Sequence, residues 1–408
     1  MLHSLGEKLK ERDKLIAKQI TIKDEVITWR RNLHENPELS FKEVQTSEYV
    51  YNLLKSFTGL EVTRPTKTSV LGVLKGGKQL REKQPTIAFR ADMDALPIQE
   101  EADIEFQSKN PGVMHACGHD AHTAMLLGAA KILSEKRDEI AGEIRFIFQH
   151  AEEMPPGGAI ELVEKGAVDG VDYAFALHVT PYEQSGSICM REGVLCASND
   201  DFEIKVIGYG GHASTPELTV DPIAVGVEIA SNIQHIVSRK LPALHSPVIS
   251  ITEFHGGSAL NIIPETAELG GTIRAIDPEI RIKAKNYVNQ IVKGITEAHG
   301  AQYEIVWHDG YESVVNDKKA VEITREVAVD IFGTENVIHA KEPLFGGEDF
   351  SAIAQKVPSS MQFIGVHHED FGEAYPLHHP KFKIDESALL YGVDYFVGIA
   401  TKLCSKNL

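Results

Sequence analysis

"PTIAFRADMD", residues 85–94, is an apolar run of strand length that opens on a proline and ends on Asp92 and Asp94. Bounded by proline and charge, it reads as a strand with carboxylates at its carboxyl end. Upstream, "VLGVLKG" (70–76) has the same form. Downstream, a helix is expected over about 122–136, where Met125, Leu126, Ala129, Ile132 and Leu133 recur at helical spacing. "GEIRFIFQH" (142–150) then reads as a strand, "GGAIELVEKG" (157–166) as a short helix and "DYAFALHV" (172–179) as a strand. Strands alternating with helices predict an α/β layered domain with a largely parallel sheet. The first 55 residues read as helical. "MLHSLGEKLKERDKLIAKQI" (1–20) is charged and helix-periodic, and "KDEVITWRRNLHENPEL" (23–39) is broken at Pro37.

The pattern changes between about 187 and 308. "DFEIKVIG" (201–208) is a strand, "DPIAVGVEIASNIQHIVSR" (221–239) a helix, and "SPVISITEF" (246–254) and "AELGGTIRAI" (267–276) are strands. "PEIRIKAKNYVNQIVKGITEAHG" (278–300) is a helix and "AQYEIVW" (301–307) a strand. This βαββαβ order is the ferredoxin-like split motif. Afterwards α/β alternation resumes, with helices at about 317–332, 349–356 and 386–403 and strands "NVIHA" (336–340) and "MQFIGV" (361–366). The expected architecture is one α/β domain, residues 1–186 and 309–408, interrupted by a smaller α+β domain at 187–308.

A chain of 408 residues suits two or three domains. Its 42% hydrophobic and 25% charged residues are those of a globular protein. The net charge of -18 argues against nucleic acid and against a basic membrane-binding face. Four cysteines (Cys117, Cys189, Cys196 and Cys404) are too few and scattered for a disulfide scaffold, which favours a reducing compartment. The N-terminal stretch has no apolar core of signal-peptide length, and no run approaches 18 apolar residues. A cytoplasmic protein is expected.

Open α/β sheets build sites at the carboxyl ends of their strands. Asp92 and Asp94, Glu152 and Glu153, and His178 each close an apolar strand there. "MHACGHDAHT" (114–123) adds three histidines, a cysteine and an aspartate. Taken singly these have ordinary readings: Asp120 or Thr123 caps a helix and Cys117 is small packing. Taken together, Cys117 and His119 are good ligands for a soft or borderline metal. A thiol–imidazole nucleophile is the other option, although it needs no further glutamates and histidines at neighbouring strand ends. Glu152 and Glu153 are adjacent on an extended segment and point different ways, so one can ligate while the other serves as a base. His378 or His379 in "PLHHPKF" is a loop histidine with a weaker claim.

The chain resembles the dinuclear-metal aminoacylase and carboxypeptidase family of amidohydrolases. It is most similar to the subgroup of plant indole-acetyl-amino-acid hydrolases, bacterial hippurate hydrolases and N-acetyl-diaminopimelate deacetylases. The resemblance lies in "RRNLHENPELSFKE" (30–43), "FRADMDALP" (89–97), "HACGHDAHTAMLLGAA" (115–130), "QHAEE" (149–153) and "ALHV" (176–179). It continues through "GGHASTP" (210–216), "DPI" (221–223), "GGSALNIIPETAELGGTIR" (256–274), "FGGEDF" (345–350) and "LHHP" (377–380). These motifs run in order over nearly the whole chain.

The resemblance implies a metal-binding catalytic domain and an inserted dimerisation, or lid, domain. Cys117 would bridge two divalent metal ions, where relatives outside the subgroup use aspartate. His119 and His178 would complete one site, Glu153 and His378 the other; His378, not His379, matches the family's Leu-His-x-Pro motif. Glu152 would be the general base, and Asp94 would orient a ligand. His212 would enter the active site of the partner subunit in a homodimer and stabilise the oxyanion. Asn261 and Arg274 would hold the substrate carboxylate, a task that suits the planar two-point donor of arginine. Gly346 and Gly347 would line the pocket. Without the resemblance, His212 reads as a turn histidine, Arg274 as a strand arginine in a surface ion pair, and the glycines as a turn.

Two positions depart from the family. His150 stands where relatives usually have proline, and Glu217 where many have histidine; neither is a proposed ligand. The implied reaction is metal-dependent cleavage of the amide bond of N-acyl-L-amino acids to a carboxylate and a free amino acid, as in aminoacylases and hippurate hydrolases. A dipeptidase or carboxypeptidase on the same dinuclear site is the alternative. Thiolate and imidazole favour zinc, with manganese, cobalt and nickel as further candidates. A silent binding protein on this scaffold is expected to have lost a ligand or the base, and none is missing here. Higher assembly beyond a dimer stays open.

Overall fold

The computed structural model describes residues 22–78 and 84–405, so the charged segment 1–20 lies outside the described residues. The chain divides into two compact units. One runs up to Gly193 and includes Val315–Lys341 and the chain from Ala352 on; the other comprises Val194–Val314 and Glu342–Ser351.

The first unit is built on an eight-stranded mixed sheet, mostly parallel at its centre. Its order is Leu60–Thr63, Val70–Lys75, Glu143–Gln149, Thr86–Asp92, Tyr173–Gln184, Ser359–His367, Ile188–Met190 and Val337–His339. Thr86–Asp92 runs parallel to both of its neighbours. It is buried from Ile87 to Asp92, which is why its sequence reads as a continuous apolar run rather than an alternation. Phe89 at its middle packs against Phe146, Phe175 and Phe396. Phe396 belongs to the helix Ala388–Cys404, which shares this core with the helix His119–Glu135.

Three sequence expectations are corrected here. The helix expected from 122 begins at His119, because Gly118 enters it in a left-handed conformation (φ 85°). A side chain at Gly118 would also press on Val179, its Cβ lying 2.4 Å from Val179 Cγ2. The strand expected to end near His178 continues to Gln184, because Ser359–His367 pairs alongside it. The helix expected over 349–356 is only the turn Ser351–Ala354.

The second unit holds a four-stranded antiparallel sheet in the order Val248–Gly256, Thr266–Ala275, Ser198–Ile207, Gln302–Asp309. The helices Pro222–His235 and Pro278–His299 make up the split βαββαβ arrangement. Both helices start alike: Asp221 and Asp277 accept backbone N–H groups as N-caps, and proline follows at the first helical position. Phe202, Ile204 and Val206 alternate inward and meet Val225, Ile229, Ile233, Val288 and Val292. Glu342–Ser351 joins this unit through Leu344, which exchanges backbone hydrogen bonds with Leu195 and Ala197 at 2.8 Å each. No helix among the described residues is long and apolar enough to cross a membrane.

Candidate metal centre

The sheet register in the first unit sets the site. Asp92 stands opposite Gln149, and Glu152 and Glu153 follow just beyond. Arg90 stands opposite Ala176, which puts His178 on the level of Asp92. Cys117 and His119 arrive at the start of the helix His119–Glu135.

His119 and His178 are each oriented through Nδ1. His119 Nδ1 lies 3.2 Å from Asp94 Oδ1, while its Nε2 is buried without a hydrogen-bond partner. His178 Nδ1 donates to the Val179 carbonyl at 2.7 Å, so the neutral ring presents a lone pair at Nε2. That Nε2 lies 3.5 Å from Cys117 Sγ. His122 differs from both: Nδ1 donates to Asp92 Oδ1 at 2.6 Å, and Nε2 accepts the Val179 N–H at 2.9 Å. Both nitrogens are engaged, so His122 is a strut that holds the Val179 peptide. His378 has φ 66° and lies with Nε2 3.2 Å from Glu153 Oε1. That oxygen makes no hydrogen bond although it is buried, and it is 3.8 Å from His119 Nε2.

Of the five groups of closely spaced donor atoms among the described residues, two contain Cys117: Cys117, His119 and His178, and Cys117, Glu153 and His378. They share Cys117, and within each group the atoms lie within 4.8 Å of one another. Ligands bound at about 2.0–2.3 Å around a tetrahedral ion stand about 3.3–3.8 Å apart. The spacings above fall at or close to that range, and His119 Nε2 and Glu153 Oε1 are buried there without a hydrogen-bond partner. The donor set therefore fits two cations.

The electrostatics agree. Burial opposes a charge on His119, yet the carboxylates of Asp92, Asp94 and Glu153 overcome it and raise its pKa to about 10. The position calls for positive charge, from a proton or from a metal. The Cys117 thiol is pushed well up, first by burial and then by Glu153, Glu152 and Asp92. Reactive cysteines sit in electropositive surroundings, so this thiol is a poor nucleophile, and only a cation at hand would favour its thiolate. Glu152 is buried with Oε2 3.9 Å from His119 Nε2.

Asp120 and Thr123 were expected to cap the helix and do not. Asp120 Oδ2 accepts from Arg30 Nε and His34 Nδ1, each at 2.8 Å, and Thr123 donates to the Asp92 carbonyl at 2.8 Å. His379 is a loop residue: its Nδ1 accepts the Lys381 N–H at 3.0 Å, and its ring stacks on Tyr375. His150 lies 3.2 Å from Glu161 through Nε2. Its edge-to-face contact with the Phe41 ring keeps it on the flank of the glutamate loop.

The remaining predicted residues belong to the second unit. His212 is exposed in a short pairing with Ile262, next to Asn261, whose carbonyl accepts the Ala213 N–H at 3.1 Å. The Ser214 N–H donates to His212 Nδ1 at 3.1 Å. The neutral ring therefore carries its proton on Nε2, free to donate. Arg274 is half-buried in the strand Thr266–Ala275 and pairs with no carboxylate among the described residues. Gly347 packs against Asn199, where a Cβ would approach Oδ1 to 2.5 Å, whereas Gly346 borders open space.

The model of the family described as peptidase family M20/M25/M40 matches residues 88–402. An N-acyl-L-amino acid amidohydrolase of Geobacillus stearothermophilus is 52% identical over 72% of this chain and 79% of its own length. The thermostable carboxypeptidase 2 of Saccharolobus solfataricus is 44% identical over 94% of this chain and 97% of its own. Among solved structures, the YXEP protein of Bacillus subtilis is described as a dinuclear metal binding peptidase from the M20 family. It is 36% identical, covering 93% of this chain and 98% of that one, with a TM-score of 0.79.

Proposed function

The chain belongs to peptidase family M20/M25/M40, and on that premise we propose that it is a metal-dependent amidohydrolase that cleaves N-acyl-L-amino acids. The observation that carries this reading is the pair of donor groups sharing Cys117. In this reading Cys117 would be shared by two ions, with His119 and His178 holding one and Glu153 and His378 the other. Zinc suits the thiolate and imidazole donors best. When bound, the two ions supply a polarised amide carbonyl and a water of near-neutral pKa.

The chain's own groups do the rest. Glu152 takes a proton from water and passes it to the leaving amine, the role its place beside the donor groups supports. His212 of the partner subunit donates Nε2–H to the tetrahedral oxyanion, a role its Ser214-fixed tautomer supports. Arg274, without a carboxylate partner among the described residues, binds the substrate carboxylate together with Asn261. Gly346 and Gly347 border the acyl-amino acid. In this reading the second unit, close to residues 187–308, is an inserted dimerisation lid, and the enzyme is a cytoplasmic homodimer.

Carboxypeptidase activity is the second reading, supported by the archaeal relative's name. The test is a panel of N-acetyl and N-benzoyl amino acids and free or blocked dipeptides, assayed with zinc, manganese, cobalt or nickel. Hydrolysis of N-acyl amino acids, abolished by chelator and restored by metal, is expected. Cleavage of peptides alone would replace the first reading by the second.

A further inference from the structure

Among the described residues, three non-glycine residues have left-handed backbones: Phe41, Ala151 and His378. His378 is a proposed ligand, while Ala151 immediately precedes Glu152 and Glu153. Such conformations persist only where the surroundings over-determine them. One buried oxygen serves two of them. Glu43 Oε1 accepts the Phe41 N–H at 2.9 Å and the Ala151 N–H at 2.8 Å. Its Oε2 accepts the buried Thr68 hydroxyl at 3.0 Å. Glu43 itself is fully buried.

The loop is held on its other side as well. Asp94 Oδ2 accepts the Glu153 N–H at 3.0 Å and the Ser40 hydroxyl at 2.7 Å. Ser40 and Phe41 are consecutive, so a single loop braces both clamps. Glu152 lies between two residues whose amides are each gripped by a buried carboxylate. With φ 50° at Ala151, the chain leaves the strand direction there, and the next two side chains turn toward Cys117 and His119.

We propose that Glu43 is a positioning residue for the metal centre, whose carboxylate clamps the Ala151 turn and so aims Glu152 and Glu153. The inference rests on the two-metal amidohydrolase reading, and Glu43 acts through the backbone, touching neither substrate nor metal.

The test compares wild type, E43A, E43Q and the double variant E43A/A151G. Zinc is titrated into each metal-free protein by calorimetry, and kcat and KM are measured on an N-acetyl amino acid. Outer contacts to ligands typically govern about 10–100-fold in metal affinity or activity. E43A is expected to lose that much in affinity for one of its two zinc ions and in kcat, with KM little changed. E43Q retains an acceptor oxygen for both amides and recovers most of the loss. E43A/A151G recovers part of it, because glycine takes φ 50° without a Cβ penalty. E43A matching wild type in both readouts overturns the proposal, as does E43Q impaired as deeply as E43A. If E43A does not fold, the E43Q titration decides. A wild type that binds two zinc ions and hydrolyses no N-acyl amino acid overturns the functional reading and leaves the titration as the test of Glu43.

Discussion

Asp94 Oδ1 lies 3.2 Å from His119 Nδ1, and that contact decides which way the imidazole faces. With the proton held on Nδ1, Nε2 offers its lone pair to the cluster. Asp94→Asn can present an amide N–H to Nδ1 instead and move the ring proton to Nε2. Metal affinity should fall by about 10–100-fold with the fold intact. Titration of metal into the metal-free variant checks this, and unchanged affinity removes Asp94 from the orienting role.

Cys117→Ser should lose metal. Burial and neighbouring carboxylates hold the thiol protonated unless a cation offsets them, and a hydroxyl is a far weaker zinc ligand than a thiolate. Atomic emission on the purified variant is the measurement. Two metals per chain would remove cysteine from the bridge.

Glu152→Gln should keep both metals and lose hydrolysis, because the amide preserves shape but accepts no proton. Positioned bases contribute roughly 10²–10⁴-fold. Retained turnover in the metal-loaded variant places the base elsewhere.

Local pattern and long-range pairing divide what the sequence revealed. The central strand Thr86–Asp92 was readable because burial on both faces leaves an apolar run. The extension of the next strand to Gln184 was not, because it depends on pairing with a segment near residue 365. Among the candidate donors, Glu153 and His178 stood out by strand position and Cys117 and His119 by residue type, whereas the loop residue His378 was separated from His379 only by the family resemblance. Asp120 misled because a helix start suggests capping, whereas its partners Arg30 and His34 lie 90 and 86 residues away. Glu43 closes a motif of the resemblance but carried no role there: its significance lies in the Ala151 amide 108 residues on, and in a left-handed turn that alanine does not announce.

His212→Ala should reduce turnover by about 10²–10³-fold while leaving metal content unchanged, the usual cost of a lost oxyanion donor. The Ser214 amide already fixes the tautomer that donates from Nε2. Mixing His212→Ala with an inactive Glu152→Gln chain tests the trans arrangement. A mixed dimer then holds one site with both an intact base and a partner's intact histidine, and activity should reappear. Normal turnover in His212→Ala alone would sink the idea.

Burial pushes the Glu43 carboxyl up to about 7, with the Asp94 charge adding to the rise. An unfolded glutamate titrates near 4.3. The folded state therefore holds this proton more tightly, and the associated stability is full below about pH 4 and lost as pH rises through about 7. A shift of this size corresponds to about 4 kcal/mol. Asp92, Asp94 and Asp120 are held below the usual carboxylate range, so their contributions vanish only in stronger acid. His119, raised to about 10, loses its contribution at higher pH, in both proteins alike. The difference between wild type and E43Q thus isolates Glu43. In denaturant melts of the metal-free proteins, wild type should lose stability relative to E43Q between pH 5 and pH 8. A constant difference across that window would mean that Glu43 keeps an ordinary pKa.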